Sequence, residues 1–220
     1  MKGVQSDMKW AVLCICVLFG LCGTAYAKVE LEEGENQLQN GDFEQAKTPV
    51  GWVTEDRAPD ATGMIELEKK EVHSGDFSLK VTAAAVDGTD WHFKVKQDRL
   101  SFEGEEKHTI KFWAKAEAPR IVQVCLQMNH DPWDGWLWQD VNLTTDWQEF
   151  VVEVTPPIDN DQEHWLAFHC GQSLDVWWLD DVRYYRGGPN DEKVEEERPR
   201  IAVDPVGKAS IAWGELKGGY

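Results

Sequence analysis

Hydrophobic positions alternate with polar ones over much of the middle of this chain. In residues 121–129 the apolar Val122, Val124, Leu126 and Met128 interleave with Gln123, Cys125, Gln127 and Asn129. A period of two sends successive side chains to opposite faces of a strand, and helical spacing is missing almost throughout. The same reading predicts strands over residues 64–68, 77–83, 91–96, 107–115, 121–129, 136–143, 148–155, 165–170 and 176–185. Ser74-Gly75-Asp76, Asp87-Gly88-Thr89, Glu103-Gly104, Pro156-Pro157 and Asp159-Asn160 supply turn chemistry between them. Eight or nine strands with no strand–helix alternation predict an all-β chain folded as a two-sheet antiparallel sandwich of jelly-roll type.

The two ends read differently. Lys2 and Lys9 precede an apolar run over residues 10–21, and Ala25-Tyr26-Ala27 has the small-x-small form of a cleavage site. The run is short for a membrane span, so residues 1–27 are expected to be a signal peptide and the product to be secreted or periplasmic. The sandwich is then expected over residues 28–186. Gly187-Gly188-Pro189-Asn190 breaks the last strand, and residues 187–200 read as a charged, solvated linker. Residues 201–220 regain apolar side chains but are too few to fold alone, and their role stays open.

Charge narrows the function. The chain carries a net charge of −18, from 40 acidic against 22 basic residues. Such a surface repels phosphate backbones and anionic headgroups, which excludes nucleic acid and peripheral membrane as expected partners. With the signal removed only Cys125 and Cys170 remain, and they stand in opposite phases of their strands, which argues against a bridge between them.

Twelve tryptophans exceed what one core of this size needs. A sugar offers a flat face of C–H groups and a belt of hydroxyls; aromatic rings cover the first, and amide or charged groups answer the second. Val141 and Leu143 set the inward phase of residues 136–143, leaving Trp136, Trp138 and Asp140 outward. Gln123, Gln127 and Asn129 take the outward phase of their strand, as do Trp165 and His169 of theirs. Trp133, in the loop 131–135, has no obvious core neighbour. His92 and Lys94 share a face opposite Trp91, Phe93 and Val95 and are within reach of hydroxyls. Trp52, Trp113 and Trp147 read better as packing, one of Trp177 and Trp178 must be core, and His169 reads equally as a structural histidine.

An ordered set of short motifs adds to this reading. Asn40-Gly41-Asp42-Phe43-Glu44 precedes Gly51-Trp52, then Val72-His73-Ser74-Gly75, Phe112-Trp113-Ala114-Lys115-Ala116, Thr144-Thr145-Asp146-Trp147 and Trp178-Leu179-Asp180-Asp181-Val182. The set resembles the CenC-like carbohydrate-binding modules of families 4, 9, 16 and 22, with a galactose-binding-like jelly roll. The resemblance implies a non-catalytic module for β-linked polysaccharide, with a sugar-stacking aromatic at Trp91 and a structural Ca2+. For that ion it points to Asp42, Glu44 and Asp180, with carbonyls near His73 and Ser74. Calcium takes six to eight oxygen ligands from such groups.

A glycosidase is the rival class, since hydrolysis needs two carboxyl groups facing one sugar and acidic residues abound. None stands in a recognisable constellation, and there is no nucleophile elbow or phosphate-binding glycine loop. A surface module with a protein partner is the third class.

Overall fold

The computed structural model describes residues 30–45, 47–157 and 163–193. The signal peptide expected over residues 1–27 and the segment 201–220 lie outside them. Ten strands form: β1 (Val53–Asp56), β2 (Thr62–Glu68), β3 (Ser78–Ala85), β4 (Phe93–Leu100), β5 (His108–Ala116), β6 (Arg120–Met128), β7 (Gly135–Leu143), β8 (Gln148–Val154), β9 (His164–His169) and β10 (Trp177–Arg186). They pair antiparallel into two five-stranded sheets, ordered β1-β4-β9-β6-β7 and β2-β3-β10-β5-β8. This is the expected all-β jelly-roll sandwich. Among the described residues no helix is long and apolar enough to cross a membrane.

The inward phase of each strand builds one core. Val122, Val124 and Leu126 of β6 meet Leu166 and Phe168 of β9, facing Ile110, Phe112 and Ala114 of β5 and Trp177 and Leu179 of β10. Phe168 touches Phe112 and Trp177 edge-on or tilted, with ring centroids 5.1 and 6.0 Å apart. Burying each such ring stabilises the fold by about 1.5–3 kcal/mol. Cys170 belongs to this core, whereas Cys125 sits in a separate cluster with Trp165 and Ala167 on the opposite face of the sheet. Their phases are therefore as the alternation predicts, and both thiols are free.

Nine strands fall where periodicity places them, each within a few residues. β1 was not expected. The segment 187–193 also departs from a solvated linker. The Lys193 amide donates to the Gly34 carbonyl over 2.8 Å, and Glu192 pairs with Lys111 at 3.0 Å and Arg183 at 3.4 Å. Glu192 thus finds cations on β5 and β10, which charge counting along the chain does not reveal, and residues 194–200 of the expected linker lie outside the described residues.

Candidate functional site

The outward face of the β1-β4-β9-β6-β7 sheet carries a cleft of about 390 Å³, lined by Glu55, Arg57, Asp90, Trp91, Lys94, Gln123, Gln127, Trp133, Trp138, Trp165 and His169. It crosses all five strands. Of the ten sugar-contact residues expected from sequence, Trp91, Lys94, Gln127, Trp133, Trp138, Trp165 and His169 line it.

Three tryptophans present open rings: Trp91 is 41% exposed, Trp133 48% and Trp138 50%. Trp138 stands on β7 opposite Cys125 of β6 and leans over Gly135, where an added Cβ would fall 2.3 Å from the indole. Gly135 is the residue that leaves room for the ring. Trp133 follows β6 in a loop and adopts φ 63°, a left-handed conformation that costs a bulky residue energy. Its amide donates to the His130 carbonyl at 2.7 Å, and Gln127 Nε2 donates to the Trp133 carbonyl. Trp91 projects from the 3-10 turn Asp90–His92, with the Arg57 guanidinium 5.0 Å from its ring centre.

Trp165 takes the outward phase but only 3% of it is exposed. The ammonium nitrogens of Lys94 and Lys96 stand 4.4 and 4.0 Å from its ring, and Trp133 lies 6.0 Å away. It forms floor, not platform. Glu55 of β1 holds both ammoniums, at 3.0 Å to Lys94 and 2.8 Å to Lys96. Burial alone would raise the Glu55 carboxyl, but the hydrogen bonds from Lys96 and Lys94 outweigh it and hold the group below its usual range.

His169 closes the floor at the end of β9, in register with Lys94 on one side and Gln123 on the other. It is 4% exposed, and neither ring nitrogen has a hydrogen-bond partner among the described residues. Burial, helped by the Lys94 charge, pushes its imidazole down to about 4, so it is neutral at physiological pH. Gln123 Nε2 donates to Asp140 Oδ1 at 2.9 Å, which fixes the amide beside Trp138.

Three expectations are corrected. Trp136 is not outward: the β6–β7 register shifts between Leu126 and Gln127, leaving Trp136 as an extra residue that turns inward beside Leu137. Its ring packs 4.8 Å from Phe102 and 6.4 Å from His164. His92 does not face the cleft with Lys94, because the 3-10 turn interrupts the alternation there. Instead its Nδ1 lies 2.6 Å from Asp87 Oδ2. Asn129 falls beyond the end of β6, with its amide donating to the Glu163 carbonyl at 3.0 Å, and it does not line the cleft. Glu55, Arg57 and Asp90 were missed, since Val53-Thr54-Glu55-Asp56 shows only one apolar residue and reads as loop.

The carboxylates singled out for calcium gather at the other sheet. Asp180 is fully buried; its Oδ2 accepts from the amides of His73 at 3.0 Å and Ser74 at 3.2 Å, and its Oδ1 from that of Asp181 at 2.8 Å. Burial nevertheless pushes its carboxyl up to about 7, with the neighbouring Asp181 charge acting in the same direction. Glu44 Oε1 accepts from the amides of Asp76 at 2.6 Å and Phe77 at 2.9 Å, and Asp42 Oδ1 from that of Glu44 at 3.3 Å. Among the described residues, His73, Asp180 and Asp181 bring their ligand atoms within 4.8 Å of one another, a group that does not include Asp42 or Glu44. A buried acid at Asp180 with no cationic partner among the described residues fits a cation, whereas Asp42 and Glu44 cap turns.

The sequence matches the family model for a carbohydrate binding domain over residues 35–176. It is similar to a solved structure described as CBM4 structure and function, with 28% identity over 68% of this chain and 99% of that one and a TM-score of 0.57. The fold is shared with the CBM22-1 xylan-binding domain of Paenibacillus barcinonensis, at 14% identity over 76% of this chain and 100% of that one, TM-score 0.52. It is shared too with an arabinose-bound GH51 α-L-arabinofuranosidase, at 11% identity and TM-score 0.58, over 75% of this chain but 28% of the enzyme. A comparison with curated proteins gives no match. With a family match covering most of the sandwich, and a cleft on the sheet face where aromatic and amide side chains converge, this chain belongs to the carbohydrate-binding domain family CBM4/9.

Proposed function

We propose that this chain is an exported, non-catalytic module that binds a β-linked polysaccharide, β-glucan or xylan, across the cleft of the β1-β4-β9-β6-β7 sheet. One observation carries the reading: Trp91, Trp133 and Trp138 hold half-open rings around a floor of Gln123, Gln127, Lys94 and His169. The rings stack on the C–H faces of successive sugars, and the polar groups answer their hydroxyls. Lys94 is placed by Glu55, and Lys96 covers the Trp165 ring beneath the ligand. Nothing in the cleft has to break a bond. Affinity electrophoresis against soluble β-glucans and xylan tests this: retardation without released reducing sugar supports it, and hydrolysis or absence of retardation counts against it.

We propose further that a structural Ca2+ sits at Asp180. The support is a fully buried carboxylate beside a second acid, Asp181. Asp180 and Asp181 would supply carboxylate oxygens, and the ion would neutralise a charge that burial otherwise leaves costly. Asp42 and Glu44, expected as ligands, would instead order the adjoining turn.

A further inference from the structure

His169 is the least satisfied polar group in the cleft. Its imidazole is neutral, so it has one donor and one acceptor nitrogen, yet both are shut away from solvent and neither has a partner. Buried polar side chains are nearly always hydrogen-bonded, and an exception on a ligand-facing surface points to a group that the ligand brings. Trp91 and the 3-10 turn fold over the same end of β9, where the Gly171 amide donates to the Asp90 carbonyl at 2.8 Å. The cover nearest in register is Lys94, a flexible stem whose ammonium is held by Glu55 at 3.0 Å. Glu55 also holds Lys96, at 2.8 Å, so its charge stays compensated when Lys94 swings away. Lys94 is therefore the side chain that a ligand would displace to reach the ring.

The chemistry of the sugar then matters. Ring hydroxyls of β-linked glucose and xylose lie in an equatorial belt, level with the ring. The hydroxymethyl arm of a hexose projects beyond the ring and rotates about its own bond. It is the hydroxyl able to reach a recessed imidazole, and a pentopyranose such as xylose lacks it. We propose that His169 is the specificity-determining residue of this cleft, selecting hexose-based chains over pentose-based ones by hydrogen-bonding a hydroxymethyl arm. The inference rests on the glycan-binding reading above. Its physical basis is that a site built to hydrogen-bond a hydroxyl rejects the analogue without it, because the buried partner is left unpaired.

Cellohexaose and xylohexaose test this, since they share a β-1,4 backbone and differ in the hydroxymethyl group; laminarihexaose adds a hexose chain of another linkage. Calorimetry on the unaltered chain should show one of the two glucose hexamers binding about 10- to 100-fold tighter than xylohexaose. His169→Phe, which keeps a ring but loses both nitrogens, should weaken that hexamer far more than xylohexaose, so that the 10- to 100-fold preference collapses. His169→Gln, with a donor and an acceptor, should restore part of the preference. The 15N shifts of the His169 imidazole in the unaltered chain should move on adding the preferred glucose hexamer and stay still with xylohexaose, which decides the matter if His169→Phe does not fold. Equal or tighter binding of xylohexaose, or a hexose preference that survives in His169→Phe, would overturn the inference while leaving the glycan-binding reading intact. Binding of none of the three overturns both.

Discussion

The Lys96 ammonium stands 4.0 Å from the centre of the Trp165 ring, and this contact is why the tryptophan on the central strand of the cleft's sheet is closed to a flat ligand. Lys94 covers the same ring at 4.4 Å. Cation–π contacts removed from water are worth about 2 kcal/mol, and here they join β4 to β9 across the floor. Trp165→Ala should therefore lower stability by about 3–5 kcal/mol, the cost of a large core truncation. Trp136→Ala should behave similarly, since its ring packs on Phe102. Urea denaturation of both, beside Trp138→Ala as an exposed control, checks the assignment. Near-equal midpoints for all three would contradict it.

Gly135 sets the position of Trp138 without touching a ligand. An alanine there would put its Cβ 2.3 Å from the indole, so the ring must move. Gly135→Ala is expected to weaken glycan binding about as much as loss of a stacking ring, about 1–3 kcal/mol, with only a small change in Tm. Unaltered affinity would mean that Trp138 is not a platform.

Chelation tests the calcium proposal. A metal held only by the folded chain stabilises it by mass action, so a calcium chelator should lower Tm and added Ca2+ should restore it. Asp180→Asn removes the buried charge and should make Tm insensitive to chelator, whereas Asp42→Asn should leave the sensitivity intact. A Tm indifferent to chelator, with no metal by elemental analysis, would refute the site.

Acid should destabilise the sandwich earlier than its carboxylates require. Burial lowers His164 to about 3 and His169 to about 4. An unfolded chain protonates these rings as pH falls through about 6.5, while the folded chain does not until pH 3–4. The unfolded state thus binds more protons across that window, so stability falls as pH drops from about 6.5 towards 4 and is unaffected by these groups above it. Each histidine contributes a few kcal/mol, at about 1.4 kcal/mol per pH unit. NMR titration should find the His169 ring still neutral at pH 5. A midpoint near 6.5 would place it in contact with water.

Much of this architecture is legible along the chain because burial on one face imposes alternation. β6 and β9 are clear cases: Gln123 and Gln127 against Val122 and Val124, His169 against Phe168, all land on the face their phase predicts. The failures have physical causes too. β1 is an edge strand whose ladder to β4 is made by backbone, so its four residues carry no hydrophobic rhythm, and Glu55 and Arg57 stay hidden with it. The bulge at Trp136 inverts one side chain without leaving a mark in the pattern. His73 and Asp181 meet at 3.0 Å although 108 positions apart, a pairing only tertiary structure creates.

The most direct test of glycan binding at this cleft is calorimetry with Trp133→Ala and Trp138→Ala, alongside their Tm values. The ligand should be whichever of cellohexaose, laminarihexaose and xylohexaose the unaltered chain binds tightest. The account predicts that each substitution costs about 1–3 kcal/mol of binding, by analogy with stacking on nucleobases, while Tm stays within about 2 °C, as expected for an exposed side chain. Undiminished affinity in both variants, with the unaltered chain binding well, would place the glycan site elsewhere on the molecule.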